Sequence, residues 1–300
     1  MSSADASPVV VLRSADGAVA HVSGHGAHVM SWRPASDGRE RLFLSERSEH
    51  REGVAIRGGV PVIFPQFAAE GPLPRHGFAR TMRWTLEQLV EQNGVAGAVF
   101  TLRDTDATRA IWPASFLARL RPYVIDDRLM IGLDVTNTGN AAFTFTAALH
   151  TYLRVADVTR TRLEGLRGVH YRETSAPGVL TMDADDHLQP GGEVDRVYVD
   201  ASAPLLLRDG SDTVQVEADG FPDVVVWNPG ARKAAQLTDM EPGGERNMLC
   251  VEAAAVQRPI ALLPGDQWAG MQTLRVLSDR DARALPFTAS ESHATYTRKA

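Results

Sequence analysis

Residues 116–155 read FLARLRPYVIDDRLMIGLDVTNTGNAAFTFTAALHTYLRV. Two turn signals, Asp126-Asp127 and Thr138-Gly139-Asn140, divide this stretch into three runs, and each run has strand character. Leu129, Ile131, Leu133 and Val135 alternate with smaller or more polar partners. In the third run Phe143, Phe145, Ala147 and Leu149 share one face, and Thr144, Thr146, Ala148, His150 and Tyr152 share the other. The stretch predicts three antiparallel strands. Outward from it, strand-like runs stand at 9–12, 18–22 and 27–33, broken by Asp16-Gly17 and Gly24. Others follow at 204–208, 213–218, 223–227, 247–256 and 271–277, separated by Asp209-Gly210, Asp219-Gly220, Asn228-Pro229-Gly230 and Pro264-Gly265. Helical periodicity is nowhere sustained, so only short helices are expected, near 107–111 and 231–237. Many short strands at this spacing predict an all-β antiparallel sandwich. No break or repeat divides the chain, which reads as one domain over 1–300 with flexible tails at 1–8 and about 285–300.

Bulk properties narrow the function classes. The chain has 300 residues, 44% of them hydrophobic and 23% charged, an ordinary globular composition. A formal charge of −6 argues against a nucleic-acid partner, which requires a broad basic face. The single cysteine, Cys250, excludes an intrachain disulfide framework. The start MSSADASPVV lacks the basic and apolar regions of a signal peptide, and no apolar run approaches the ~20 residues of a membrane span. A cytoplasmic monomer without membrane partners is expected.

The richest segment for chemistry is RGGVPVIFPQFAAEGPLPRHGFAR, residues 57–80. Four glycines and four prolines make it a poor helix and a poor continuous strand. Its apolar members Val60, Val62, Ile63, Phe64, Phe67 and Phe78 imply a loop held against a scaffold. Arg57, Arg75, Arg80 and His76 then point to an anion site, with phosphate as the leading ligand. The bland alternative is three surface arginines paired with acids.

Two strands offer proton-transfer groups. His150 lies on the face away from the phenylalanines, beside Thr146 and Tyr152, where a polar groove is one reading and a half-exposed structural histidine the other. In NMLCVEAAAV, Leu249, Val251, Ala253 and Ala255 share one face, and Cys250, Glu252 and Ala254 the other. A carboxylate among such neighbours is either half of a buried ion pair or a general base. Asp195, after a Gly-Gly turn, is weak by itself. His21, His25 and His28 have a spacing that invites a metal, but no acid or cysteine completes the set, and no metal is expected. The chain lacks G-x-S-x-G, the P-loop, H-E-x-x-H and G-x-G-x-x-G. Cys250 sits in an apolar strand, a poor setting for a nucleophile.

Taken together, IRGGVPVIFPQF (56–67), PRHGFARTMRW (74–84), ALHTYLRV (148–155), EVDRVY (193–198), VVVWNPG…LTDMEPGGERNMLCVEAAAV (224–256) and LLPGDQWAGMQTL (262–274) resemble the aldose 1-epimerase (mutarotase) superfamily. More narrowly they resemble the hexose-6-phosphate 1-epimerases, over about residues 10–275. The resemblance implies a galactose-mutarotase-like β-supersandwich. It implies cofactor-independent interconversion of the α and β anomers of a hexose 6-phosphate, typically glucose 6-phosphate, bound on the concave face of a large sheet. It places His150 and Glu252 as the catalytic pair, Arg57 and Arg80 as substrate-contacting arginines, Asp195 against sugar hydroxyls and His76 beside the reacting centre. Arg75 departs from the uncharged residue expected before HGFAR, and it joins the anion-site candidates on its charge and position alone. Gln66 stands at a variable position and receives no role. The nearest rival is a mutarotase of free aldoses such as galactose. A non-catalytic sugar-phosphate-binding protein on the same fold is another, and a sugar lyase or glycoside-processing enzyme a third.

Overall fold

A computed structural model of the chain describes residues 8–176 and 178–284; the tails expected at the two ends lie almost wholly outside the described residues. The described residues form three antiparallel sheets. A small one joins Val9–Arg13, Val19–Ser23 and His28–Arg33. A nine-stranded sheet is centred on Phe116–Ile125, Arg128–Asn137 and Gln267–Val276. The third has eight strands and includes, side by side, Val194–Val199, Asp223–Asn228, Met248–Leu262, Phe143–Leu149 and Val62–Ile63. The helices are short, Asp106–Ile111, Gly230–Ala234 and Asp279–Ala284, the first two where the sequence places them.

The alternation of side chains decides how the two large sheets meet. Phe145, Ala147, Leu149, Leu249, Val251, Ala253 and Ala255 from one sheet and Leu120, Leu129, Ile131, Leu133, Val135 and Leu274 from the other are buried in one apolar cluster. Burial of each such side chain contributes roughly 1.5–3 kcal/mol for the larger ones, enough to fix register, because a slip of one residue would turn a whole face outward.

The opening stretch forms its first two strands as expected, but the third run is split into Phe143–Leu149 and Tyr152–Arg154 by a break at His150 and Thr151, and it does not pair with the second. Arg128–Asn137 belongs to the nine-stranded sheet and Phe143–Leu149 to the other. Asn137 holds the crossing: its buried Nδ2 donates to Ala141 O and Leu262 O, and its Oδ1 accepts from Gly139 N. The strand expected at 247–256 extends to Leu262 through an irregularity after Ala255. There Asp223 Oδ2 accepts from the amides of Val256 and Gln257, which supplies the partner the ladder does not. A hairpin of Thr85–Gln92 and Val95–Arg103, turning at Asn93-Gly94, adds two strands beyond those expected.

Candidate active site

The groups singled out in the sequence meet on the face of the eight-stranded sheet turned away from the shared core. Leu149 sits opposite Ala253 and Tyr152 opposite Cys250, so His150 falls opposite Glu252. The ladder continues between them through the Val251 amide, which donates to Thr151 O. His150 Nδ1 is 3.2 Å from Glu252 Oε1, and both residues are buried. The contact is close but not aligned as a hydrogen bond, and neither Nδ1 nor Glu252 Oε2 has a hydrogen-bonding partner among the described residues. The His150 ring stacks on Tyr152 at 4.8 Å and meets Trp227 edge-on at 5.8 Å, which leaves it little freedom to turn.

Charge at this pair is set by burial. Desolvation, then the positive surroundings of Arg80 and Arg57 beside His76, hold the His150 imidazole well below its ordinary range. Desolvation and the nearby Asp195 push the Glu252 carboxyl well up. Both shifts favour neutral imidazole with carboxylic acid over imidazolium with carboxylate. The two descriptions contain the same number of protons. They differ only in whether one proton lies on the carboxyl or on the ring 3.2 Å away.

A stability consequence follows from the signs. The folded chain retains a Glu252 proton that the unfolded chain releases above about 4.5. That contribution is complete below 4.5 and is lost as pH rises, by about 1.4 kcal/mol per pH unit. His150 acts oppositely below 6.5, where only the unfolded chain takes up the proton. Where both shifts act, between 4.5 and 6.5, the two trends oppose each other. Glu252→Gln, which cannot ionise, should therefore melt above the wild type, by a margin that opens above about pH 4.5 and widens until the folded carboxyl itself ionises. Thermal melts across pH test this; a margin that narrows with rising pH would contradict the assigned burial effect.

The arginine loop is attached directly to the histidine strand. Val62 and Ile63 pair with Leu149 and Ala148, and the amides of His150 and Tyr152 donate to Pro61 O and Gly59 O. Its path is fixed by close backbone approach. A Cβ on Gly59, whose φ is +58°, would lie 2.3 Å from Val29 O; one on Gly77, with φ +69°, would lie 2.1 Å from Phe64 O. His28 Nε2 bonds Gly58 O at 2.8 Å and His25 Nε2 bonds Val54 O at 2.6 Å. Desolvation pushes His28 down to about 3, so it is a neutral staple. Gln66 is a second staple, bonded to Ala68 O, Leu73 O and Leu73 N.

The three arginines of this loop differ. Arg57 is held in a bidentate pair with Asp239, and its Nη1 donates to Tyr152 Oη at 3.0 Å. Arg80 has no carboxylate within 4 Å among the described residues. Its Nη2 donates to Arg75 O, its Nε is unpartnered, and burial together with Arg57 and Arg75 pushes it down to about 10. Arg75 projects outward, yet it lies near enough to depress both Arg80 and His76. His76 is buried 5.6 Å from the His150 ring, and its Nδ1 accepts from the Ala68 amide, so Nε2 bears the proton. Burial and the three arginines push it down to about 2. A positive field with one compensating carboxylate, in a protein of net charge −6, is built to receive an anion.

Asp195 lies two strands from Cys250, in register with Trp227. Its Oδ1 accepts from Thr174 Oγ1 at 2.5 Å and its Oδ2 is 3.7 Å from Lys233 Nζ, leaving it partly exposed toward the same face. Tyr152, Trp227, Lys233 and Asp239 complete the surroundings. Sequence reasoning gave none of these a role except Tyr152 as a face neighbour. The VVVWNPG and LTDMEPGG segments were the signal available for Trp227 and Asp239. Two other recesses, one among Trp112, Phe143 and Ala261 and one among Arg41, Arg154 and Asp212, lie apart from these groups.

A buried acid–base pair on a broad sheet, rimmed by polar groups that can hold sugar hydroxyls, matches what comparison with known proteins finds. The family model for aldose 1-epimerase matches residues 8–275. The chain belongs to the aldose 1-epimerase family. A protein from Cenchrus ciliaris named "Putative glucose-6-phosphate 1-epimerase" is 37% identical over 271 residues, which is 87% of this chain and 82% of the relative. One of the same name from Salmonella typhimurium is 34% identical over 241 residues, 78% of this chain and 79% of the relative. The crystal structure of a Salmonella typhimurium protein described as a "putative mutarotase (YeaD)" superposes with a TM-score of 0.80 at 30% identity, covering 91% of this chain and 97% of that one. The family's activity is isomerisation at the anomeric carbon of an aldose, and the galactose-mutarotase-like sandwich expected from the sequence is the fold observed. Among the described residues no helix is long and apolar enough to cross a membrane.

Proposed function

We propose that this member of the family interconverts the α and β anomers of a hexose 6-phosphate, glucose 6-phosphate first among them, without a cofactor. The observation that carries this reading is the excess of guanidinium groups beside the His150–Glu252 pair. A neutral aldose gives Arg80 and Arg75 nothing to neutralise, whereas a phosphate gives each a charge-assisted bond.

In the proposed reaction the resting proton passes from Glu252 to His150 as sugar enters. Glu252 then takes the proton of the C1 hydroxyl, the C1–O5 bond breaks as C1 becomes the aldehyde carbon, and His150 donates its proton to O5. Rotation about C1–C2 presents the other face of the aldehyde. Reclosure runs the two transfers backward, so no net proton or electron is lost. Asp195, steadied by Thr174, accepts from sugar hydroxyls, and His76 donates through Nε2 beside the reacting centre. Arg80, with Arg57 and Arg75, anchors the phosphate and thereby orients C1 between the two proton-transfer groups.

The test is anomer exchange followed by polarimetry or NMR on fresh α-glucose 6-phosphate, α-glucose and α-galactose. Catalysis should be most efficient for the phosphorylated sugar. Equal or better turnover of a neutral sugar would favour the free-aldose rival. Binding of sugar phosphate with no acceleration of exchange would favour the non-catalytic one.

A further inference from the structure

Cys250 takes no part in the reaction derived above, yet it shares the face of Glu252 and lies opposite Tyr152. One donor atom each from His150, Cys250 and Glu252 lies within 4.8 Å of the other two, and all three side chains are buried. His150 Nδ1 and Glu252 Oε2 are enclosed and have no hydrogen-bonding partner among the described residues; the two residues are 7% and 1% exposed. We propose that His150, Cys250 and Glu252 form a site for one thiophilic divalent cation such as zinc, which switches the enzyme off by occupying both proton-transfer groups.

The donor set is of the kind zinc selects. It offers one thiolate sulfur, one imidazole nitrogen and one carboxylate oxygen, with bonds of about 2.0–2.3 Å, which spaces the ligand atoms of a tetrahedral ion about 3.3–3.5 Å apart. Closing from 4.8 Å to that spacing falls to the Cys250 and Glu252 side chains, since stacking holds the His150 ring. A fourth position remains for water or a sugar hydroxyl. Hard cations such as magnesium, which demand oxygen ligands, should not compete. Binding displaces a proton from the thiol and from the carboxyl, and no oxidant or reductant is involved. Cation binding does not depend on the substrate reading; inhibition alone rests on the acid–base assignment.

The experiment titrates the full chain with cobalt(II), as a spectroscopic stand-in, and with zinc. The expected result is one cation per chain and a thiolate-to-cobalt charge-transfer band, both abolished in Cys250→Ala. Zinc should inhibit anomerisation reversibly, with chelator restoring activity. Cys250→Ala and Cys250→Ser should retain catalysis and raise the inhibitory zinc concentration by at least about 10-fold, the least that even an outer partner of a metal ligand is worth. Binding without a thiolate band, or equal zinc sensitivity in wild type and both cysteine variants, overturns the site. A cation that binds as described but leaves activity intact would instead retain the site and refute the acid–base role of the pair.

Discussion

Glu252→Gln is expected to slow catalysed anomerisation by about 10²–10⁴-fold, the range of one positioned proton transfer. His150→Ala is expected to fall in the same range. The glutamine is isosteric and stays in the middle of a strand paired on both sides, so the sheet is retained. What it loses is the ability to take the C1 proton and to pass one to His150 across 3.2 Å. Because each residue works through the other, the double variant should be little worse than either single one, the non-additivity of groups that act as a unit. Binding of glucose 6-phosphate should survive in both. The same glutamine is predicted to raise the melting temperature above about pH 4.5, so a slower and more stable protein is the joint signature. Exchange rates by NMR, with binding by calorimetry on the same variants, check this. A variant with wild-type turnover would remove the pair from the mechanism.

The second large effect belongs to Arg80. Loss of hydrogen bonds to a charged group costs about 1.5–3 kcal/mol, so Arg80→Ala should lower kcat/KM for glucose 6-phosphate roughly 10- to 150-fold. It should leave the much slower reaction of free glucose nearly unchanged. Arg80 is a cleaner probe than Arg57, whose removal would also strand Asp239 and the Tyr152 hydroxyl. The decisive quantity is the ratio of the two substrates' kcat/KM values. If both substrates fall together, Arg80 supports the loop rather than the phosphate.

What the sequence revealed about this site follows the reach of local rules. The period of two assigned His150 and Glu252 to the non-core face, and the structure has both there, although His150 stands in the break between Phe143–Leu149 and Tyr152–Arg154. Turn residues marked most strand ends. The pairing of those two strands with each other is non-local: Phe143–Leu149 leaves its sequence neighbour for a strand a hundred residues further on, because Asn137 turns the chain between sheets. Lys233 was not legible, and Asp239 only through its LTDMEPGG segment, since their parts depend on which loops the sheet brings to the same rim. His25 and His28, spaced like ligands, are instead the posts to which the arginine loop is tied. The depressed His150 escaped the sequence because burial of the ring, which sets it, is a property of the assembled face.

The neighbouring positions of His150 and Glu252 have one more consequence. Adjacent strands lie about 4.8 Å apart wherever backbone hydrogen bonds hold them. The gap between acid and base is therefore a dimension of the main chain, common to any sequence that keeps this ladder. The loops bearing Arg57, Arg75, Arg80 and Asp239 can then diverge to suit new sugars while the proton-transfer distance stays the same. Innovation in substrate and constancy in chemistry are assigned to different parts of one chain.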